Sequence, residues 1–175
     1  SDTSPHSAFT DLVIYAAQYW CIFREGASYA LCERSIKLMR SADLAHWQEA
    51  ATFSLPGQDL RDPHLAARPD GSLELICGRT GLKDGAYTDR GSLEAIYNKG
   101  SWGELTAIGQ TGDWLWRSHW QGPRAWSISY RLPEKRRWSI HLMSRSLQTP
   151  WRELVELPIK GLPNEATIRV FSNGK

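Results

Sequence analysis

The stretch Leu60-Arg61-Asp62-Pro63 decides the fold, because three other stretches of the chain resemble it. They are Phe9-Thr10-Asp11-Leu12, Thr111-Gly112-Asp113-Trp114 and Pro163-Asn164-Glu165-Ala166. In each, an acidic residue directly precedes an apolar segment, and the four acids are separated by 51, 51 and 52 residues. A fixed period on the order of 20–50 residues is typical of repeat architectures. The chain therefore divides into units that begin near residues 9, 60, 111 and 163.

Each unit contains short segments rich in Ile, Val, Leu, Tyr and Trp, which are bounded by Gly, Pro, Asp, Asn and Ser, as β-strands are. We expect such strands at 12–23, 35–40, 72–77, 125–130 and 138–143. An amphipathic helical pattern of three turns is hard to find anywhere. Four short strands in about 50 residues form the blade of a β-propeller. The sequence thus predicts one all-β domain over residues 1–175, a propeller of about three and a half blades. The alternative is a sandwich with accidental periodicity.

Composition places the chain among ordinary soluble domains, with 175 residues, 41% hydrophobic residues and 23% charged residues. A net charge of +2 is too small to indicate a nucleic-acid or membrane partner. The longest apolar run is interrupted by Gln18 and falls short of the roughly 20 residues that cross a bilayer. No signal-peptide pattern opens the chain, and its localisation stays open.

The sequence gives no support for a metal or a cofactor. Cys21, Cys32 and Cys77 are odd in number and share no C-x-x-C spacing, so we expect them to be reduced. The five histidines never form an H-x-x-x-H pair. The chain has no nucleophile elbow, P-loop or dinucleotide fingerprint, which argues against the common serine hydrolases and nucleotide-binding proteins.

Blade geometry predicts where the functional residues gather. Residues just before the first strand and just after the second strand of each blade surround the mouth of the central channel. The acids expected there are Asp11, Asp62, Asp113 and Glu165. The other residues expected on that face are Arg24, Glu25, Arg61, Arg79, Arg117 and Arg131, and the Trp side chains proposed for stacking are Trp20, Trp114, Trp116 and Trp120.

This combination of residue types suits a carbohydrate. Carboxyl groups can transfer protons or stabilise an oxocarbenium-like state, arginine pairs bidentately with carboxylates, and aromatic faces pack against sugar rings. The alternative is that the acids cap turn amides and the arginines form structural ion pairs. We therefore expect a glycan partner and no nucleic acid.

Four motifs together resemble the sialidase-like propellers of bacteria. They are Phe23-Arg24-Glu25-Gly26, Asp59-Leu60-Arg61-Asp62-Pro63, the run from Gly112 to Arg117, and the run from Pro163 to Arg169. The resemblance implies exo-acting hydrolysis of a terminal glycosidic bond, with arginines on the sugar carboxylate, an Asp as acid/base and a Tyr–Glu nucleophile. The chain has Arg24-Glu25-Gly26 where sialidases have Arg-Ile-Pro.

Two motifs are also similar to five-bladed furanosidases of the invertase and arabinosidase type. They are Arg61-Asp62-Pro63 and the string Ser41-Ala42-Asp43-Leu44-Ala45-His46-Trp47, which is also a shortened Asp-box. In those families acids from three blades share the chemistry. The motif implies Asp62 as transition-state stabiliser. Blade position implies Asp11 as nucleophile or base and Glu165 as general acid.

The leading hypothesis is thus a glycoside hydrolase with Asp62, Glu165 and Asp11 as catalytic residues. A non-catalytic carbohydrate-binding or assembly propeller is the alternative. Typical propellers have four to eight blades. At about 51 residues a blade, the chain holds fewer than four blades. We therefore expect a second copy, a partner or a missing C-terminal half to complete the ring.

Overall fold

A computed structural model describes residues 5–28, 32–131, 138–161 and 163–171. All regular secondary structure in these ranges is β, in 14 strands that form three consecutive antiparallel groups. Each group is a blade of four strand positions.

Blade 1 consists of β1 (His6–Tyr15), β2 (Gln18–Gly26), β3 (Arg34–Ser41) and β4 (Gln48–Phe53), paired antiparallel in that order. The segment expected at 12–23 is divided between β1 and β2. The chain turns back at Ala16 and Ala17, whose φ angles of 49° and 57° make a tight hairpin between β1 and β2. Alanine rarely adopts positive φ, so the residue types did not indicate this turn.

Blade 2 consists of β5 (Gln58–Ala67), β6 (Leu73–Lys83), β7 (Ala86–Asn98), β8 (Ser101–Trp102) and β9 (Thr106–Ile108). The two short strands β8 and β9 both pair with β7 and share the outermost position. One parallel bridge, between Arg34 and Asp59, connects blade 1 to blade 2.

Blade 3 consists of β10 (Asp113–Leu115), β11 (His119–Gln121), β12 (Arg124–Arg131), β13 (Ser139–Ser146) and β14 (Arg152–Leu157). Its innermost strand is broken, because β10 and β11 both pair with β12. Residues 163–171 form no strand, contrary to the fourth unit's expected first strand. Ala166 and Ile168 instead pack on an aromatic cluster of blade 3.

The blades are held together by apolar side chains from their facing surfaces. Alternate residues of β2 and β3 pack against β5 and β6 in the core between blades 1 and 2, including Ile22, Leu38, Leu60 and Leu75, each fully buried. A smaller cluster around Met143 joins blades 2 and 3. Fully burying one such side chain stabilises the fold by about 1.5–3 kcal/mol. The predicted all-β propeller is confirmed.

Candidate functional site

Three residues with left-handed backbone aim their side chains at one region of the surface. Phe9, Asp62 and Glu165 have φ angles of 57°, 47° and 54°. Phe9 and Asp62 lie in bulges, where the register of β1 with β2 and of β5 with β6 shifts. Positive φ is uncommon outside glycine and carries strain, which recurs at functional sites. All three line the same two cavities, described next.

The two cavities adjoin, since Phe9, Asp62, Trp116 and Glu165 line both. The first, the aromatic cavity, has a volume of about 210 Å³, and the second about 270 Å³. The aromatic cavity is further lined by Arg61, Thr80, Tyr87, Arg90, Trp114, Tyr130, Trp138 and Asn164. The second cavity is further lined by Thr10, His64, Arg117, Ala166 and Thr167. Residues from all three blades and from 163–171 therefore meet here.

Asp62 lies in a setting that favours its protonated form. Burial raises the pKa of Asp62, and this outweighs an indole hydrogen bond from Trp114 Nε1 (3.1 Å) and the charges of His64, Arg61 and Arg24. Glu165, by contrast, is exposed. The site thus presents two carboxyl groups in different environments.

Aromatic rings form the wall of the aromatic cavity. Tyr130 stacks on Trp114 with ring centroids 6.1 Å apart and contacts Trp138 at 4.5 Å and Trp116 at 5.7 Å. The Trp114 ring lies directly on Gly78, where an added Cβ would approach a ring carbon to 2.2 Å. Glycine at 78 therefore allows the indole to reach Asp62.

Asp11 is not the counterpart of Asp62 that the repeat suggested. It lies inside β1 rather than before it, is buried, and stands two residues after Phe9, which occupies the bulge position. Its carboxylate accepts hydrogen bonds from Arg117 Nη2 (2.6 Å) and the Leu65 amide (2.9 Å). Although burial raises the pKa of Asp11, His64, Arg117 and the Leu65 amide lower it to about 2. Asp11 is therefore an ionised link between the innermost strands of three blades.

The predicted arginines fall into different positions. Arg61 lines the aromatic cavity and donates from Nε to Asp59 Oδ2 (2.6 Å) and from Nη2 to the Tyr87 hydroxyl. Asp59 is fully buried and also binds Arg34 of blade 1. Arg24 is fully buried behind the cavity, with its guanidinium 4.6 Å from the Phe9 ring centroid.

The remaining predicted residues lie in ion pairs and line neither cavity. Asp113 accepts from Arg131 Nε (2.7 Å) and from the Gln110 amide (2.8 Å), as a turn-capping acid does. Arg79 pairs with Asp89 at 2.5 Å. Glu25 pairs with Lys37 at 3.0 Å and lines a separate surface depression. Of the proposed stacking residues, Trp20 is in the apolar core and Trp120 bonds Glu74.

Several cavity residues were absent from the sequence-based prediction: Phe9, Tyr87, Arg90, Tyr130, Trp138 and Asn164. Phe9 was not predicted, because the repeats were aligned by their acidic residues and not by the bulge in which Phe9 lies. Tyr87 and Arg90 lie on β7, the third strand of its blade, whereas the prediction considered the first two strands only.

Among the described residues, no group of three or more His, Cys, Asp and Glu side chains is arranged to hold a metal ion. No helix of the described ranges is long and apolar enough to cross a membrane. Cys21, Cys32 and Cys77 are free thiols.

No protein-family model and no curated protein matches the chain. Solved structures do resemble it. A protein of unknown function from Dyadobacter fermentans aligns with a TM-score of 0.70 and 14% identity over 89% of this chain and 56% of its own length. A thermostable family-43 glycoside hydrolase aligns with a TM-score of 0.61 and 11% identity, over 86% and 54%. An α-L-arabinofuranosidase from Lactobacillus brevis aligns with a TM-score of 0.55 and 8% identity, over 86% of this chain and 55% of its own length.

The chain spans little more than half the length of these three structures, and identities this low concern the fold alone. Neither named enzyme is a sialidase, so the sialidase-specific resemblance gains no support from them, whereas the furanosidase-type resemblance fits better. The chain shares its β-propeller fold with these two glycoside hydrolases.

Proposed function

We propose that the chain carries the carboxyl groups of a glycoside hydrolase that acts on a terminal sugar. One observation carries this proposal: Asp62 and Glu165 line the same pair of cavities beside an aromatic wall, Asp62 half-buried with a raised pKa and Glu165 exposed. Pairs of carboxyl groups whose environments push their pKa values apart are typical of glycosidases, which need one protonated and one ionised acid.

The settings assign the roles. Asp62, whose pKa burial raises, is the acid that protonates the departing glycosidic oxygen. Glu165, which is exposed, is the carboxylate that attacks the anomeric carbon or activates a water. Trp116 and Tyr130 offer faces for the sugar ring, and the aromatic cavity has room for about one ring. Asp11, bonded to Arg117, positions the neighbouring strands and holds no transferable proton near neutral pH.

The test is hydrolysis of aryl glycosides, with pentofuranosides and hexopyranosides in one panel because both resemblances are open. Replacing Asp62→Asn should lower kcat about 100- to 10,000-fold on nitrophenyl glycosides. A dinitrophenyl leaving group departs without protonation, so that substrate should lose much less rate in Asp62→Asn. Glu165→Gln should lose rate on both substrates.

The matched control is Asp84→Asn, an exposed acid in the turn between β6 and β7, which should leave the rates unchanged. Near-normal turnover by Asp62→Asn on nitrophenyl glycosides would refute its assignment as the acid. Sugar binding without hydrolysis of any substrate would instead favour the non-catalytic carbohydrate-binding propeller.

A further inference from the structure

Arg90 lines the aromatic cavity and has no role in the proposed reaction. It lies on β7 opposite Thr80 and lines the cavity together with Arg61, Asp62 and Glu165. Its side chain makes no hydrogen bond or ion pair with any described residue, and so it pairs with neither of the two cavity acids. A half-buried guanidinium without a bonded partner, facing a cavity, is a ready site for an anion.

The charges around the cavity also favour an anion. Three guanidinium groups, Arg34, Arg61 and Arg90, lie in or behind the cavity wall together with three carboxyl groups, Asp59, Asp62 and Glu165. Burial raises the pKa of Asp62, which reduces the negative charge. The described residues near the cavity thus have an excess of positive charge.

The other arginines near the cavities are already paired. Arg61 is held by Asp59 and Tyr87, and Arg117 by Asp11 at 2.6 Å. Their donors are therefore partly used, whereas the planar fork of Arg90 is available for two parallel hydrogen bonds. A carboxylate matches this fork in shape and charge.

We propose that the sugar in this cavity is a uronic acid, whose carboxylate binds the Arg90 guanidinium while its ring packs on the aromatic wall. This inference rests on the proposed carbohydrate site and adds the substrate class. The aromatic cavity, of about 210 Å³, holds both features in one compartment, since Arg90, Trp114, Tyr130 and Trp138 all line it.

The experiment measures binding and not turnover. Because Trp114, Trp116 and Trp138 line the cavity, intrinsic tryptophan fluorescence reports the titrations. The probes are methyl glucuronide against methyl glucoside, and methyl galacturonide against methyl galactoside, at neutral pH. In one or both pairs the uronide should bind about 10- to 100-fold more tightly than its neutral partner, as a charge-assisted hydrogen-bond pair implies.

Variants locate the effect. Arg90→Gln should remove the preference for the uronide and leave the affinity for the neutral glycoside unchanged. Arg90→Lys, which keeps the charge and loses the fork, should retain part of the preference. The matched control is Arg152→Gln, an exposed arginine on β14, which should behave as the unmodified chain does.

Equal affinity for uronide and neutral sugar in both pairs would overturn the inference, as would a preference that persists in Arg90→Gln or an absence of sugar binding altogether. Methyl glucoside 6-sulfate is a further arm, and binding as tight as that of the uronide would refute selection for a carboxylate. Uronide binding without hydrolysis refutes the proposed function and leaves this inference intact. Hydrolysis of neutral glycosides without a preference for the uronide would support the proposed function and refute this inference.

Discussion

Two clusters of buried charge join the blades, and they differ in what their charges do. The cavity-side cluster consists of Arg24, Arg34, Asp59, Arg61 and Asp62, between blades 1 and 2. The Glu74 cluster consists of Glu74, Glu94, Ser118, Trp120 and Arg145, between blades 2 and 3. In each cluster an arginine of one blade bonds a fully buried acid of the adjacent blade, Arg34 with Asp59 and Arg145 with Glu74.

The clusters lie at opposite ends of the same strand. Thr80 of β6 lines the aromatic cavity, and Glu74 lies six residues earlier, which corresponds to about 20 Å along an extended strand. In the cavity-side cluster two arginines, Arg34 and Arg61, bond one acid, Asp59, whereas in the Glu74 cluster one arginine, Arg145, bonds two acids. Arg61 retains 23% exposure of its side chain, and Arg145 only 7%.

This difference separates a ligand site from a structural clamp. An excess of arginine beside a cavity leaves positive charge for a ligand, whereas an excess of acid in a closed interface must be neutralised internally. Glu74 is fully buried and receives hydrogen bonds from Ser118 Oγ and from Trp120 Nε1 (3.0 Å). Burial raises the pKa of Glu74 to about 7, against the opposing charge of Arg145. The neighbouring Glu94 contributes to this increase.

The largest effect is expected from Arg145→Met. Arg145 bonds both Glu74 and Glu94 and packs on the rings of Trp120 and Trp151. Its removal leaves two buried acids without their cation, which should lower the free energy of unfolding by about 3–5 kcal/mol. Urea denaturation followed by tryptophan fluorescence measures the loss.

Two further variants show whether charge is responsible. Arg152→Met, exposed on β14, should change stability by less than about 0.5 kcal/mol. The double variant Arg145→Met with Glu74→Met should recover part of the loss, because it also removes the uncompensated acid. A loss below about 1 kcal/mol in the single variant would show that the cluster is not a clamp.

The next effect is a dependence of stability on pH. A carboxyl group whose pKa is raised in the folded state stabilises it fully below the unfolded pKa, and this contribution disappears as the pH rises through the folded value. For Glu74 the window runs from 4.5 to about 7. The free energy of unfolding should fall across it by at most about 3 kcal/mol.

Glu74→Gln should flatten the pH dependence in this window. The groups that face Glu74 are Glu94 and Arg145, and Arg145 stays charged throughout. Burial raises the pKa of Glu94, but Arg145 and Glu74 lower it overall, so its contribution is lost only at lower pH. Asp11 has a pKa of about 2, so its contribution to stability also changes only below this pH window. An unchanged slope in Glu74→Gln would contradict the assignment.

The fold was predictable because its determinants are local. Turn residues bound the strands, and acids such as Asp62 recur once in each blade, so a period of about 51 residues identifies the blade. The hairpin at Ala16 and Ala17 was not predicted, because no glycine or asparagine stands at its positive φ angles.

The site was predictable only in part. Asp62, Glu165, Arg61, Trp116 and Arg117 line the cavities as the blade argument indicates. The bulges in β1 and β5 shift the inward-facing residue, so the acid pattern aligned Asp11 with Asp62 while the backbone aligns Phe9 with it.

The partners of a buried charge are the least predictable feature. Arg34 meets Asp59, and Arg145 meets Glu74 across 71 residues of chain, and no local pattern links either pair. Arg90 lies on a third strand, where the sequence argument placed no function.

The smallest effect is expected from Arg61→Gln, which removes one cation from the cavity-side cluster. Asp59 keeps its bond to Arg34, so the buried acid is not left alone. The exposed part of Arg61 is screened by water, and its loss should cost only about 1 kcal/mol in urea denaturation.

Arg79→Gln is the matched control, because Arg79 is equally exposed at 23% but pairs with the half-exposed Asp89, and it should cost less than about 0.5 kcal/mol. If Arg61→Gln instead costs as much as Arg145→Met, the cavity-side arginines are a clamp like the Glu74 cluster. The positive charge beside the cavity would then be committed to the fold. A small loss leaves that charge available to a ligand, which is what separates the two ends of β6.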